Sequence, residues 1–247
     1  MDFLDGFSAP QIAVAVVATL GAAFIRGLTG FGVGILLVPI LALALSPVEA
    51  VLAINVMAGL LALPEIRLIL REAERSAYVI GALVVIGTAP GLFVLSLTSP
   101  DLARVLIALV ALSAFVAILL PQRGSEQPGL LATTATGLSA GLLTGFAAMP
   151  GPPVVPYYVG RAIPRATAKA SMIGIFGIAA LAGVGSGAAI GLLDLRLGVL
   201  SLSLFPLVLL GNWLGGLAFG KVSDPVWRVF VGVVLGAAAC AALIRLF

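Results

Sequence analysis

The 247-residue chain contains no histidine, a single cysteine (Cys240) and very little charge, with Lys, Arg, Asp and Glu together making 9% of its residues. Each scarcity excludes something. Without histidine there is no His-ligated metal site and no imidazole acid–base catalysis. One cysteine cannot close an intrachain disulfide. So few charges leave too little polar surface to clothe a soluble domain of this length. Glu49, Asp101, Asp194 and Asp224 fall near the ends of hydrophobic segments, so no proton-relay acid stands in mid-membrane. With no paired acids and no Ser–base arrangement either, an enzyme is not expected, nor a cofactor. The opening MDFLDGFSAPQ lacks Lys and Arg, so no cleaved leader is expected.

What is present is apolar: 62% of the residues are hydrophobic and the mean hydropathy is +1.26. Charge-free windows run over 27–48, 76–100, 105–122, 127–160, 170–193, 197–220 and 229–244. About 20 apolar residues cross a bilayer core, and most windows supply that number or nearly so. The short alternating strands of a membrane β-barrel are absent. The expected fold is therefore an all-α polytopic membrane protein, with the lipid bilayer as its surroundings. The isoelectric point of 9.5 is read as basic cytoplasmic loops, and no nucleic-acid partner is expected.

Proline, glycine and charge mark ten hydrophobic segments, at about 8–26, 31–45, 48–70, 76–97, 102–120, 130–147, 151–160, 164–190, 195–219 and 225–246. The second and seventh are short for full spans. Read as half-helices or as continuations of the preceding helix, they leave eight to ten transmembrane segments. The polar stretch PQRGSEQPG at 121–129 is the expected cytoplasmic linker between a first membrane repeat (1–120) and a second (130–247).

The repeats rest on matches in the same order. Leu28-Thr29-Gly30-Phe31 answers Leu143-Thr144-Gly145-Phe146, Pro39 answers Pro156, Pro47 answers Pro164, and SPDLARVL at 99–106 answers SDPVWRVF at 223–230. The offset drifts from 115 to 117 to 124. Ten crossings place Arg26, Arg67, Arg71, Arg75, Arg123, Arg161, Arg165, Lys169, Lys221 and Arg228 inside, and only Arg104, Arg196 and Arg245 outside, as membrane orientation demands. Five segments per half make the repeats inverted, an arrangement familiar in secondary transporters.

Two interruptions stand out: RGLTGFGVGILLVP at 26–39 and LLTGFAAMPGPPVVP at 142–156. Proline removes a backbone donor and glycine relaxes the helix, so both should break, freeing N–H groups at the start of the next helix. Broken backbone at membrane depth belongs in a buried or wet site, and a helix N-terminus attracts anions. The alternative is that these glycines only let helices approach closely. Arg26 is a candidate oxyanion ligand, or else a helix-end arginine reaching to headgroups. Asn55, Lys169 and Ser171 are candidate substrate contacts, or else bond neighbouring helices; Asn212 with Trp213 raises the same choice.

These motifs, GLTGFGVGILLVP with SPVEAVLA and LLTGFAAMPGPPVVPYY with IPRATAKASM, resemble the TauE/SafE family of sulfite-exporter-type membrane proteins over essentially the whole chain. The resemblance implies a multi-pass protein of the bacterial inner membrane that transports, most simply exports, a small anion such as sulfite, sulfoacetate or another organosulfonate. Carried over by motif, the substrate-binding residues are Thr29, Gly30, Phe31, Gly32 and Gly34, with Thr144, Gly145, Phe146, Met149, Gly151 and Pro152. A passive anion or small-solute channel is the alternative. The coupling ion and homo-oligomerisation stay open.

Overall fold

Helix boundaries follow the punctuation of the sequence. In the computed structural model, which describes residues 6–29, 33–119, 128–158, 161–218 and 224–244, the chain forms helices α1 (Ala9–Thr29), α2 (Gly34–Ala44), α3 (Pro47–Ala62), α4 (Ile66–Glu72), α5 (Arg75–Leu97), α6 (Pro100–Leu119), α7 (Leu130–Ala147), α8 (Gly151–Tyr158), α9 (Arg165–Ala189), α10 (Leu195–Ala218) and α11 (Asp224–Ile244). Each of the ten expected segments holds a helix among its described residues. The third is split, because Pro64 lacks an N–H and tightens one turn (Leu63–Glu65) to 3-10 geometry between α3 and α4. The start of α3 shows how local the signals are. Ser46 and Glu49 cap one another reciprocally, at 2.8 and 3.2 Å, with Pro47 in the first turn. Of the expected linker at 121–129, residues 121–127 lie outside the described residues.

Six of the described helices or helix pairs are long and apolar enough to cross a membrane: α1, α3 with α4, α5, α7, α9 and α10. They are apolar on both faces. Helix α5 buries Ile80, Val84 and Leu92 yet leaves Ile86, Phe93 and Val94 on the outside, a pattern suited to lipid and not to water. The chain is a multi-pass α-helical membrane protein.

The two short helices double back along the helices before them. Gln11, in the first turn of α1, donates its Nε2–H to the carbonyl of Ala44 at the end of α2 (2.9 Å). Tyr157 near the end of α8 shares a 2.9 Å hydrogen bond with Thr133 at the start of α7. The expectation that α2 and α8 are half-helices or continuations is therefore sharpened: each is the short return arm of a hairpin. At 11 and 8 residues they rise only about 16 and 12 Å, so neither crosses a ~30 Å core on its own.

The hairpins enter from opposite ends. Arg104 at the start of α6 donates to the carbonyl of Ala42 (2.6 Å), which puts the α5–α6 turn beside the start of α1. Helix α7 runs parallel to α5, with Gly137 against Ile80 and Leu83, Gly141 against Val84, and Gly145 against Thr88 and Leu92. Helix α7 therefore ends toward the side on which α1 begins. Helix α1 packs parallel to α10 in the same manner, Gly211 meeting Leu20 and Gly215 meeting Phe24 and Leu28. Helices α3 and α9 run antiparallel, pairing Leu52 with Gly187, Asn55 with Gly183, Gly59 with Ala180 and Ala62 with Gly177. Bare glycine backbone at these crossings is what allows the close approach.

Candidate functional site

The two hairpin tips touch. A Cβ on Gly34, the first residue of α2, would lie 2.8 Å from the carbonyl oxygen of Ala148, the residue that ends α7, and 3.7 Å from Ile54 of α3. Around this contact Val33, Leu37, Ile54, Leu92, Ala147, Ala148 and Met149 belong to one buried apolar cluster. The α7 end is sharply built. Ala148 adopts the left-handed conformation (φ 50°, ψ 35°), its N–H bonds to the Thr144 carbonyl at 2.9 Å, and the Met149 N–H reaches the Leu143 carbonyl at 3.2 Å. The Ala148–Thr144 bond is that of an αL helix stop, with alanine where glycine is usual. Among the described residues Ala148 is the one non-glycine with positive φ, a conformation worth about 1–3 kcal/mol of strain. Pro150, without an N–H, keeps α7 from running on before α8 begins at Gly151.

The expected site residues divide. Gly30, Phe31 and Gly32 lie outside the described residues, as does the side chain of Thr29, the last residue of α1. Gly34, Met149 and Ala148 meet at the tips. Gly145 serves packing: a Cβ there would strike the Thr88 carbonyl at 2.0 Å. Thr144 is fully buried and donates its hydroxyl proton to the Ala140 carbonyl (2.7 Å), so that proton is committed to its own helix. Phe146 is half-buried against the tip cluster. Gly151 has open space around it, and Pro152 with Pro153 removes two N–H groups from the first turn of α8. The first turn of α2 keeps all of its N–H groups, and no side chain caps it.

Arg26, one turn before the end of α1, donates from Nη1 to Asn212 Oδ1 of α10 at 2.7 Å. Lys169 is exposed on the first turns of α9, away from the tips. Ser171 is buried and accepts a 3.0 Å hydrogen bond from the backbone N–H of Glu74. Asn55 is 3% exposed and its Nδ2 has no hydrogen-bond partner among the described residues.

A second constellation was not anticipated. Arg161, between α8 and α9, pairs with Glu74 at the cap of α5 (2.5 and 3.5 Å), the two side chains being 8% and 21% exposed. Ser76 also donates to the Glu74 carboxylate, and Tyr158 Oη lies 2.7 Å from Ser76 Oγ. The guanidinium sits over both Tyr157 and Tyr158, 5.4 and 5.7 Å from their ring centres. This clasp binds the α4–α5 turn to α8 and α9, at the end of the molecule where Arg67, Arg71, Arg75, Arg165 and Lys169 are exposed. A signal existed: two of the chain's three tyrosines stand in YYVGR, beside the arginine they cover. Among the described residues no group of acidic, Cys or His side chains could hold a metal ion.

Curated proteins and solved structures give no match to this chain. The family model described as "Sulfite exporter TauE/SafE" matches residues 14–242, from the first turns of α1 to the last turn of α11, both hairpins included. The chain therefore belongs to the sulfite exporter TauE/SafE family, a family of membrane transporters.

Proposed function

We propose that this protein exports a small anion, such as sulfite, sulfoacetate or another organosulfonate, across the bacterial inner membrane by alternating access around the meeting point of its two hairpin tips. The observation that carries the reading is the contact of Gly34 with the Ala148 carbonyl, where two interrupted helices from opposite ends come together in the core. Family membership supplies the substrate class. The first turn of α2 contributes backbone N–H groups that no side chain caps, and Arg26 adds a positive charge one turn before the end of α1. Helix α8, with prolines in its first turn, contributes fewer donors, so the anion belongs nearer α2. By the family motif, Thr29, Gly30, Phe31 and Gly32 are further proposed substrate contacts, with Met149, Gly151 and Pro152 from the second hairpin.

Two packing patterns support inverted repeats as the source of the alternation. The seam of α5 with α7 and the seam of α1 with α10 exchange under the sequence matches, and their glycine pairs correspond: Gly87 and Gly91 stand 124 residues before Gly211 and Gly215. Matched helices α3 and α9 lie beside each other in opposite directions. Reading the arginine-rich end as cytoplasmic agrees with the bias of membrane loops toward inward positive charge.

The test is purified protein in liposomes, assayed for counterflow of sulfite, sulfoacetate, taurine and simple carboxylates. Counterflow of a sulfur oxyanion, with accumulation driven by an imposed ion gradient, is expected. Fluxes that only equilibrate and never show counterflow identify a channel. No flux of any anion refutes the proposal.

A further inference from the structure

Asn55 carries a buried amide whose Nδ2 has no hydrogen-bond partner among the described residues. It sits in α3 between Ile54 and Val56 and is 3% exposed. A buried donor left unpaired costs about 1–3 kcal/mol, and nearly all such groups in folded proteins have a partner. The surroundings hold the amide there. Helix α9 passes with bare backbone at Gly183, where an added Cβ would strike Asn55 Nδ2 at 2.4 Å and Cγ at 2.5 Å. The preceding residue, Ile54, touches the start of α2, so Asn55 follows directly in α3 on a residue of the hairpin-tip contact. Among the described residues no carboxylate or hydroxyl bonds to this Nδ2, whereas Thr144 and Ser171 are both bonded.

We infer that Asn55 is a substrate-binding and specificity residue, its Nδ2–H donating to an oxygen of the transported oxyanion, with α9 closed over it at Gly183 in this conformation. The inference rests on the anion-transport reading above and names one of its ligands. An amide suits the task because it offers donors without a counter-charge, so an anion is held yet still released. A sulfonate or sulfite oxygen accepts such a bond; a neutral or cationic solute of similar size gains nothing equivalent from it. The orphaned donor also makes a distinctive thermodynamic signature, since replacing it with an apolar group of similar volume removes a penalty in the empty protein while removing an interaction from the loaded one.

The experiment compares wild type, Asn55→Leu and Asn55→Ser in detergent, measuring melting temperature against sulfite and sulfoacetate concentration and then counterflow in liposomes. Asn55→Leu is expected to melt at or above the wild-type temperature without anion, and to lose anion affinity by about tenfold or more, the scale of a hydrogen bond to a charged group. Asn55→Ser, which keeps an O–H donor, is expected to retain part of that affinity. If Asn55→Leu binds either anion as wild type does, the inference is overturned while anion transport stands. If Asn55→Leu melts well below wild type without anion, the amide was already bonded within the protein and the inference is likewise overturned. If wild type itself is stabilised by neither anion, the transport reading fails, and this assignment falls with it.

Discussion

Replacing Gly145 with alanine tests how the proposed motif residues divide between packing and substrate. The Cβ would stand 2.0 Å from the Thr88 carbonyl oxygen and 2.4 Å from the Leu92 nitrogen, both backbone atoms that cannot swing aside. To regain ordinary contact at 3.4 Å, α7 must retreat from α5 by about 1.4 Å. A gap of about 1 Å already forfeits up to half of each dispersion contact, and this seam also carries Gly87, Gly91 and Gly141. Overpacking typically costs about 1–3 kcal/mol, and the rigid neighbours place this change at the upper end, about 3 kcal/mol. At about 2–4 °C per kcal/mol for chains of this size, the melting temperature should fall by roughly 6–12 °C. The controls are Gly185→Ala and Gly216→Ala, where an added Cβ meets nothing within 4 Å. Both should melt at or slightly above wild type, since alanine favours the helix. Melting followed by helical circular dichroism in one detergent suffices. A Gly145→Ala protein as stable as the Gly185→Ala control would refute the packing assignment and return Gly145 to the list of substrate contacts.

Other changes follow from the same contacts. Glu74→Gln and Arg161→Gln should each cost about 3–5 kcal/mol, because each strands a partly buried charge, while the double variant should lose less than the sum in a double-mutant cycle on melting. Ala148→Gly should raise stability by about 1 kcal/mol by relieving the left-handed alanine, and Ala148→Val should lower it; thermal melts of the pair check the direction. Arg26→Leu should cost about 1–3 kcal/mol by stranding Asn212 Oδ1, and adding Asn212→Leu should recover most of the melting temperature. Counterflow should stay lost in that double variant if the guanidinium also serves the anion.

The helices were legible in the sequence because their limits are set by residues with strong local meaning. Ser46-Pro47 with Glu49 announces the start of α3, and Met149-Pro150-Gly151-Pro152 interrupts the second hairpin. The direction of α8 was not legible. It depends on Tyr157 reaching Thr133, and no pattern along the chain marks residues 24 apart as partners. The Glu74–Arg161 clasp spans 87 residues and was invisible for the same reason. Asn212 was legible as an oddity in an apolar helix, but its partner was not. In the site, sequence pattern grouped Gly145 with Gly34 and Gly151, whereas their surroundings differ: backbone contact across a seam, contact between hairpin tips, and open space.

The clasp has a consequence for the resting state. At the offsets that align the halves, Glu74 corresponds to Gly198 and Arg161 to Ala44, so the ion pair has no twin at the other end. A carrier built from two equivalent halves would divide its time evenly between its two openings. If the carrier alternates as proposed, opening the arginine-rich end would part this partly buried ion pair and uncover Tyr157 and Tyr158, which meet edge to face, and opening the opposite end would not. At about 1.4 kcal/mol per factor of ten, a difference of 2–3 kcal/mol would leave only about one empty molecule in a hundred open at the clasped end. One-sided charge would then give a carrier of the proposed inverted halves a preferred waiting posture, and a substrate arriving at the clasped end would have to supply that difference in binding energy before the cycle could begin.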